Sequence, residues 1–319
     1  MTFFAILFLA LGIAALYKGA DLLVSRASAL AAKMGVSTAV VGLSVVTLGG
    51  ITPELSIGIT ASLGSANDLI IGNAIGSSIL KLALVFGLAA MIAPLRIHAS
   101  TLKHEFPWVM LAAVLIYFLA FDLEISRGDA VILILLGIAF QWYSIRTSHA
   151  EMRATLGKQT HQRRKQEALK TGRAWVRIVL GLALIILGAK LFVDSSLALA
   201  LQFGVSELLV GILVIAIGAS IPELVVTLVS AAKHQPGIGI GNIIGSNVMN
   251  IHLVVGAAAL IHPISIHPDL LVFDFPAFIF AAILVAVLFK SHHTLTRFEG
   301  AVLVMGYLLY AVYSVKFWG

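Results

Sequence analysis

The chain has 319 residues, 60% of them hydrophobic and only 11% charged, with a formal net charge of +6 and a mean hydropathy of +1.04. Soluble domains carry about 25% charged residues, so this composition excludes a water-soluble fold, and its even spread points to a single membrane body. With no cysteine, disulfides, thiolate metal sites and cysteine nucleophiles are excluded too.

A membrane-crossing helix needs about 20 mostly apolar residues. The first apolar run, Phe3 to Tyr17, lacks the basic leader and the small-residue cleavage site of a signal peptide. It reads as the start of the first span. About ten candidate spans follow one another, at 3–32, 37–63, 68–93, 106–121, 128–145, 176–201, 206–232, 238–262, 270–289 and 298–316. The expected fold is an all-α membrane protein. Connections are short except for 146–175, a polar and partly helical linker.

Basic residues set the expected orientation. Connections after odd-numbered spans hold Lys33, Arg96, Lys103, Lys233, Lys290 and Arg297. The segment 146–177 alone holds nine of the 21 Lys and Arg. Connections after even-numbered spans hold Asp122, Glu124, Asp129 and Glu207 against the single Arg127. Positive loops stay in the cytoplasm, so both termini are expected outside it, in the cell inner membrane. The basic run is then a cytoplasmic loop, and no nucleic-acid partner is expected.

Internal repetition gives the architecture. Gly49, Pro53 and Glu54 recur as Gly218, Pro222 and Glu223, an offset of 169 residues. The same offset carries Gly72, Asn73, Gly76 and Ser77 onto Gly241, Asn242, Gly245 and Ser246, and Gly87, Pro94 and His98 onto Gly256, Pro263 and His267. Five spans per repeat is an odd number, so the second repeat enters the membrane from the opposite side. The expectation is two inverted five-helix repeats, 1–145 and 176–319, joined by the loop 146–175, with a site at their interface near mid-membrane.

The repeated Pro-Glu carries the chemistry. Proline removes a backbone donor and clashes with the carbonyl one turn back, so the second span is expected to kink or unwind between Gly49 and Pro53. Irregular backbone at membrane depth is tolerated only inside protein or beside a wet cavity, and freed carbonyls suit hard cations. Glu54 and Glu223 follow the two breaks. Intramembrane carboxylates cost at least about 2.5 kcal/mol each. Two at symmetric places are expected to face each other and share a cation; the plainer reading is a pair of protonated acids in a static bundle. Ser77 and Lys81 share one helix face, as do Ser246 and Asn250; the serines and Asn247 also read as helix–helix hydrogen-bonding groups. Lys18 with Asp21 and Lys190 with Asp194 have the spacing of helical ion pairs with a structural role. His252, two residues past Asn250, is expected to face elsewhere.

The paired G-x-x-x-P-E and G-N-x-x-G-S segments, at this spacing and with Gly-Ala-Asp-Leu-Leu-Val at 19–24, resemble the two alpha-repeats of the calcium/cation antiporter superfamily, which includes the sodium/calcium exchangers. The resemblance covers nearly the whole chain. It implies a central calcium site on Glu54 and Glu223. It implies flanking sodium sites on Ser77, Ser246, Ser220 and Asn250, the last at the family's Asn/Asp position one turn after the helix serine. It also implies that the transported Ca²⁺, Na⁺ or H⁺ are the ligands, with no cofactor. Where the family favours G-T-S-x-P-E, this chain reads Gly49-Gly50-Ile51-Thr52 and Gly218-Ala219-Ser220-Ile221, so only Ser220 keeps a matching hydroxyl. Thr47 and Thr52 lie nearby at other positions. The second Asn/Asp position holds Lys81. A charged lysine donates hydrogen bonds and cannot ligate a cation. It reads either as a tethered surrogate for a cation, coupling binding to proton release or excluding divalents, or as a side chain that snorkels away. The expected function is exchange of Ca²⁺ against Na⁺ by alternating access, with Ca²⁺/H⁺ or other cation exchange as the alternative. A membrane enzyme is not expected, since no nucleophile–base pair or metal triad is present. A non-transporting scaffold would have no use for two buried glutamates.

Overall fold

A computed structural model describes residues 2–34, 37–156, 163–202 and 218–318. Their helices, in chain order, are α1 Thr2–Met34, α2 Thr38–Gly50, α3 Thr52–Leu63, α4 Asn67–Ile92, α5 Ala99–Leu119, α6 Arg127–Leu156, α7 Arg163–Gln202, α8 Ile221–Ala232, α9 Pro236–Ile261, α10 Pro268–His292 and α11 Arg297–Trp318. Among the described residues, seven helices are long and apolar enough to cross a membrane, and α2 with α3 makes an eighth as one bent span. The bend is 41° and falls at Ile51, inside the expected Gly49–Pro53 break. Residues 206–217 of the expected seventh span lie outside the described residues, as do 157–162 of the connecting loop. The flanks of that loop are helical, in the ends of α6 and α7.

The molecule is apolar on the outside as well as inside. Leu135, Ile138, Val176, Val179, Phe280, Val287 and Leu309 are exposed on helix faces, as lipid contact requires, because lipid gives an apolar face no reason to hide. Two packed cores lie within the described residues. One joins α1, α2, α7 and α8. The other joins α4, α5, α6, α9, α10 and α11 with Leu43 of α2, Ala61 of α3 and Ala231 of α8. Helices α1 and α7 run in close backbone contact: a Cβ on Gly19 would lie 2.8 Å from the Gly181 carbonyl, and one on Gly188 would lie 2.9 Å from the Gly12 carbonyl. This is the small-residue packing that membrane helices use in place of a hydrophobic driving force.

The two halves repeat each other's details and lock together crosswise. Strand β1 (Leu95–Arg96) pairs antiparallel with β4 (Thr294–Leu295), and β2 (Glu124–Ile125) with β3 (Ile264–Ser265). Each pairing joins loops that the charge pattern assigns to one side of the membrane. Ser126 and Asp129 form a capping box at the start of α6, and Thr296 and Glu299 form its counterpart at the start of α11. Arg127 donates to the Ile261 carbonyl at the end of α9, 3.2 Å, and Arg297 to the Ile92 carbonyl at the end of α4, 3.3 Å. The last helix of each half thus satisfies orphan carbonyls of the other half's third span. Among the described residues, three π-helical stretches interrupt the spans, Gly42–Val46, Lys81–Val85 and Asn250–Val255. The second and third are repeat equivalents, starting at Lys81 and Asn250. Such wide turns cluster at functional sites.

Asp21 forms its ion pair with Lys233 at the end of α8, whose ammonium also donates to Ser25 at 2.7 Å. This corrects the expected Lys18–Asp21 pair: a neighbour across the helix interface displaces the one a turn away. Lys18, Lys190 and Asp194 are exposed.

Candidate cation site

Pro53 and Pro222 stand in the first turn of α3 and α8, where the missing N–H costs nothing. The following glutamates are set into the protein core. Glu54 is 0% exposed and Glu223 1%. Their surroundings differ. Lys81, itself 0% exposed, donates to both oxygens of Glu54, at 3.1 Å to Oε1 and 3.5 Å to Oε2. Ser220 adds a long contact to Glu54 Oε1 at 3.5 Å, reaching across from the other repeat. The lysine therefore does not snorkel. It starts the π-helical stretch of α4 and points at the carboxylate that the family reading assigns to a cation.

Glu223 has no such counterpart. Both of its carboxylate oxygens are buried without a hydrogen-bond partner on another residue, and both amide atoms of Asn242 on α9 are likewise buried and unpartnered. The two groups converge on Gly50: a Cβ built there would lie 3.1 Å from Glu223 Oε1 and 3.7 Å from Asn242 Oδ1. A small cavity of about 10 Å³ opens at this point, lined by Gly49, Gly50, Pro222, Glu223 and Asn242 with an apolar wall from α7. Glu223 also lies within electrostatic reach of Glu54 and Lys81.

A second polar link crosses the repeat interface nearby. Asn250 donates to Ser77 Oγ at 2.9 Å and to the Ala74 carbonyl at 3.1 Å. The structure thus gathers Glu54, Lys81 and Ser220 into one chain of contacts, and Ser77 and Asn250 into another. Ser246, fully buried, bonds the Ile243 carbonyl of its own helix at 3.3 Å. Asn247 does likewise at 2.8 Å. His252 is buried with Nδ1 2.8 Å from the Val248 carbonyl, and its Cβ packs where Gly137 of α6 leaves room. Thr47 caps the Gly42 carbonyl at 2.9 Å and touches the Asn242 carbonyl at 3.4 Å. Sequence reasoning does not single out Asn242, although its recurrence with Asn73 at the repeat offset is an available signal.

Buried carboxylates from two repeated segments, each in the first turn of a Pro-started helix in an apolar bundle, define a membrane protein that handles cations. Comparison with known proteins makes this specific. The family model described as sodium/calcium exchanger protein matches residues 4–146 and 173–316. The chain is 31% identical to the sodium/calcium exchanger MaX1 of Methanosarcina acetivorans over 96% of its length and 97% of that protein's. It is 33% identical to the inner membrane protein YrbG of Escherichia coli over 88% and 87%. A solved structure of the sodium-calcium exchanger NCX_Mj matches with a TM-score of 0.86 at 26% identity, covering 98% of this chain and 99% of that one. The chain belongs to the sodium/calcium exchanger family, within the calcium/cation antiporter superfamily.

Proposed function

We propose that the protein is a secondary-active cation antiporter that moves Ca²⁺ against Na⁺ by alternating access, with Glu54 and Glu223 as central ligands and Ser77, Ser246, Ser220 and Asn250 as flanking ones. The observation that carries this is the pair of fully buried glutamates, one in the first turn of each helix that opens on the repeated Pro-Glu, within electrostatic reach of each other. The relative named as a sodium/calcium exchanger supplies the ion pair. One observation favours a second reading. The Lys81 ammonium already occupies Glu54, where a transported ion would bind, so the exchanged ions are a different cation, or Ca²⁺ against H⁺, with Lys81 modifying the site. Flux in proteoliposomes decides between them. Ca²⁺ uptake driven by an outward Na⁺ gradient supports the first reading. Uptake driven only by H⁺, or of another cation in place of Ca²⁺, supports the second. Absence of any cation flux overturns both.

The architecture proposed with this function is ten membrane helices in two inverted repeats, 1–145 and 176–319, around a cytoplasmic loop 146–175, with both termini outside. The crosswise strand pairs and arginine caps support it. The absence of native cysteine makes labelling clean. Thr160→Cys is expected to react with an impermeant maleimide only from the cytoplasm, and Ser65→Cys and Asp122→Cys only from outside. Labelling of position 160 in intact cells would reverse the orientation.

A further inference from the structure

We infer that the exchangeable site lies on the Glu223 side alone and holds one monovalent metal cation of about sodium size, ligated by the Glu223 carboxylate and the Asn242 side-chain amide, while Lys81 fills the Glu54 side as a fixed internal cation. The inference rests on the second reading above and names its cation.

With Glu54 and Glu223 ionised and Lys81 protonated, the core carries a net charge of −1 that a single monovalent ion cancels. A divalent ion would leave an uncompensated positive charge in a water-poor interior, the costly outcome for any buried site. Geometry agrees. Glu54 has its lysine at 3.1 Å, whereas Glu223 and Asn242 are at most 1% exposed and have no partner on another residue for any side-chain polar atom. Buried polar groups are normally satisfied, and two of these unpartnered oxygens, Glu223 Oε1 and Asn242 Oδ1, converge beside Gly50, a place that calls for a ligand. Both groups offer oxygen to the same place, and hard cations take oxygen ligands. Pro53 has no N–H to return to the carbonyl four residues back, which belongs to Gly49, a residue of the cavity wall. The cavity of about 10 Å³ is near the lower limit for one water. Gly50 completes the arrangement: any side chain there would begin 3.1 Å from Glu223 Oε1, in the space the ion needs.

The test is ²²Na⁺ exchange into Na⁺-loaded proteoliposomes of the full chain, with Ca²⁺ as competitor. Wild type is expected to show saturable exchange that millimolar-range Ca²⁺ leaves unchanged. Asn242→Ala is expected to raise the half-saturating Na⁺ concentration about tenfold or more, as loss of one ion ligand should. Lys81→Asn and Asn242→Asp each make the core charge −2, and each is expected to gain Ca²⁺ inhibition. Unchanged Na⁺ affinity in Asn242→Ala, or Ca²⁺ competition in wild type equal to that in both charge variants, overturns the inference. If one charge variant fails to fold, the other two measurements still decide. Glu223→Gln separates the levels. Wild-type exchange there removes the Pro-Glu site itself; its loss, with no effect of Asn242 or Lys81 on selectivity, removes only this inference.

Discussion

Replacing Glu223 with glutamine is expected to abolish transport and leave the protein folded, whereas replacing Glu54 with glutamine is expected to abolish transport and weaken the fold as well. The two residues are repeat equivalents, so sequence alone predicts equal effects. Their neighbours make the difference. Glu223 has no side-chain partner, so the amide strands nothing. It removes the charge that a cation at the proposed site would see. At about 4 Å and an effective dielectric near 20, that charge is worth roughly 4 kcal/mol, or about a thousandfold in affinity. Glu54 is the partner of a lysine with no exposure at all. Glutamine there leaves an ammonium buried and unpaired, a loss of about 3–5 kcal/mol, against total stabilities of about 5–15 kcal/mol for typical domains. Thermal unfolding in detergent checks this, with a melting point roughly 5–10 °C lower for Glu54→Gln than for Glu223→Gln. The double variant Glu54→Gln with Lys81→Met removes both buried charges and is expected to recover that stability while remaining inactive. Equal melting of the two single variants would mean that the Lys81–Glu54 pair does not hold the core together.

Much of this architecture is legible in the amino-acid sequence. The charge deficit announces the membrane, and the 169-residue offset announces the repeats. The two Pro-Glu steps locate the helix break and both acids. Lys81 stands out as an oddity, since it shares a helix face with Ser77. Its choice of Glu54 over Glu223 does not, because the two acids are equivalent in pattern and differ only in what lies beside them. The same limit hides the Lys233–Asp21 pair, where local spacing offers Lys18 instead. Arg127 on Ile261 and Arg297 on Ile92 join residues 134 and 205 apart, a distance at which periodicity says nothing. The π-helical stretches carry no composition signal either. Asn242 is the instructive miss. Its match to Asn73 is visible, but an asparagine inside a Gly-rich helix reads as packing until its amide is found with no partner.

Substitution of Gly241 by alanine is expected to destabilise the protein far more than the same change at Gly306, although both glycines sit inside helices. Added alanine normally helps a helix, by about 1 kcal/mol over glycine. At Gly306 a Cβ would meet nothing within 4 Å, so that gain should survive. At Gly241 a Cβ would collide with the Ala39 carbonyl oxygen, and would lie 2.9 Å from both the Ala39 carbonyl carbon and the Leu43 amide nitrogen. These are backbone atoms of α2 and cannot rotate aside. Overpacking where side chains can adjust costs about 1–3 kcal/mol; here α9 and α2 must separate instead. The contact is one of a series, since Gly237 meets Thr38 and Gly245 meets Thr47 at successive turns along the same face. Separation would also withdraw Asn242, the next residue on α9, from the space beside Gly50 and Glu223. Melting curves and size-exclusion profiles should therefore show Gly241→Ala losing several degrees of stability and its cation exchange together, with Gly306→Ala equal to or above wild type on both. If the two variants melt alike, α9 and α2 do not depend on backbone contact, and the position of Asn242 must be set by something other than this glycine face.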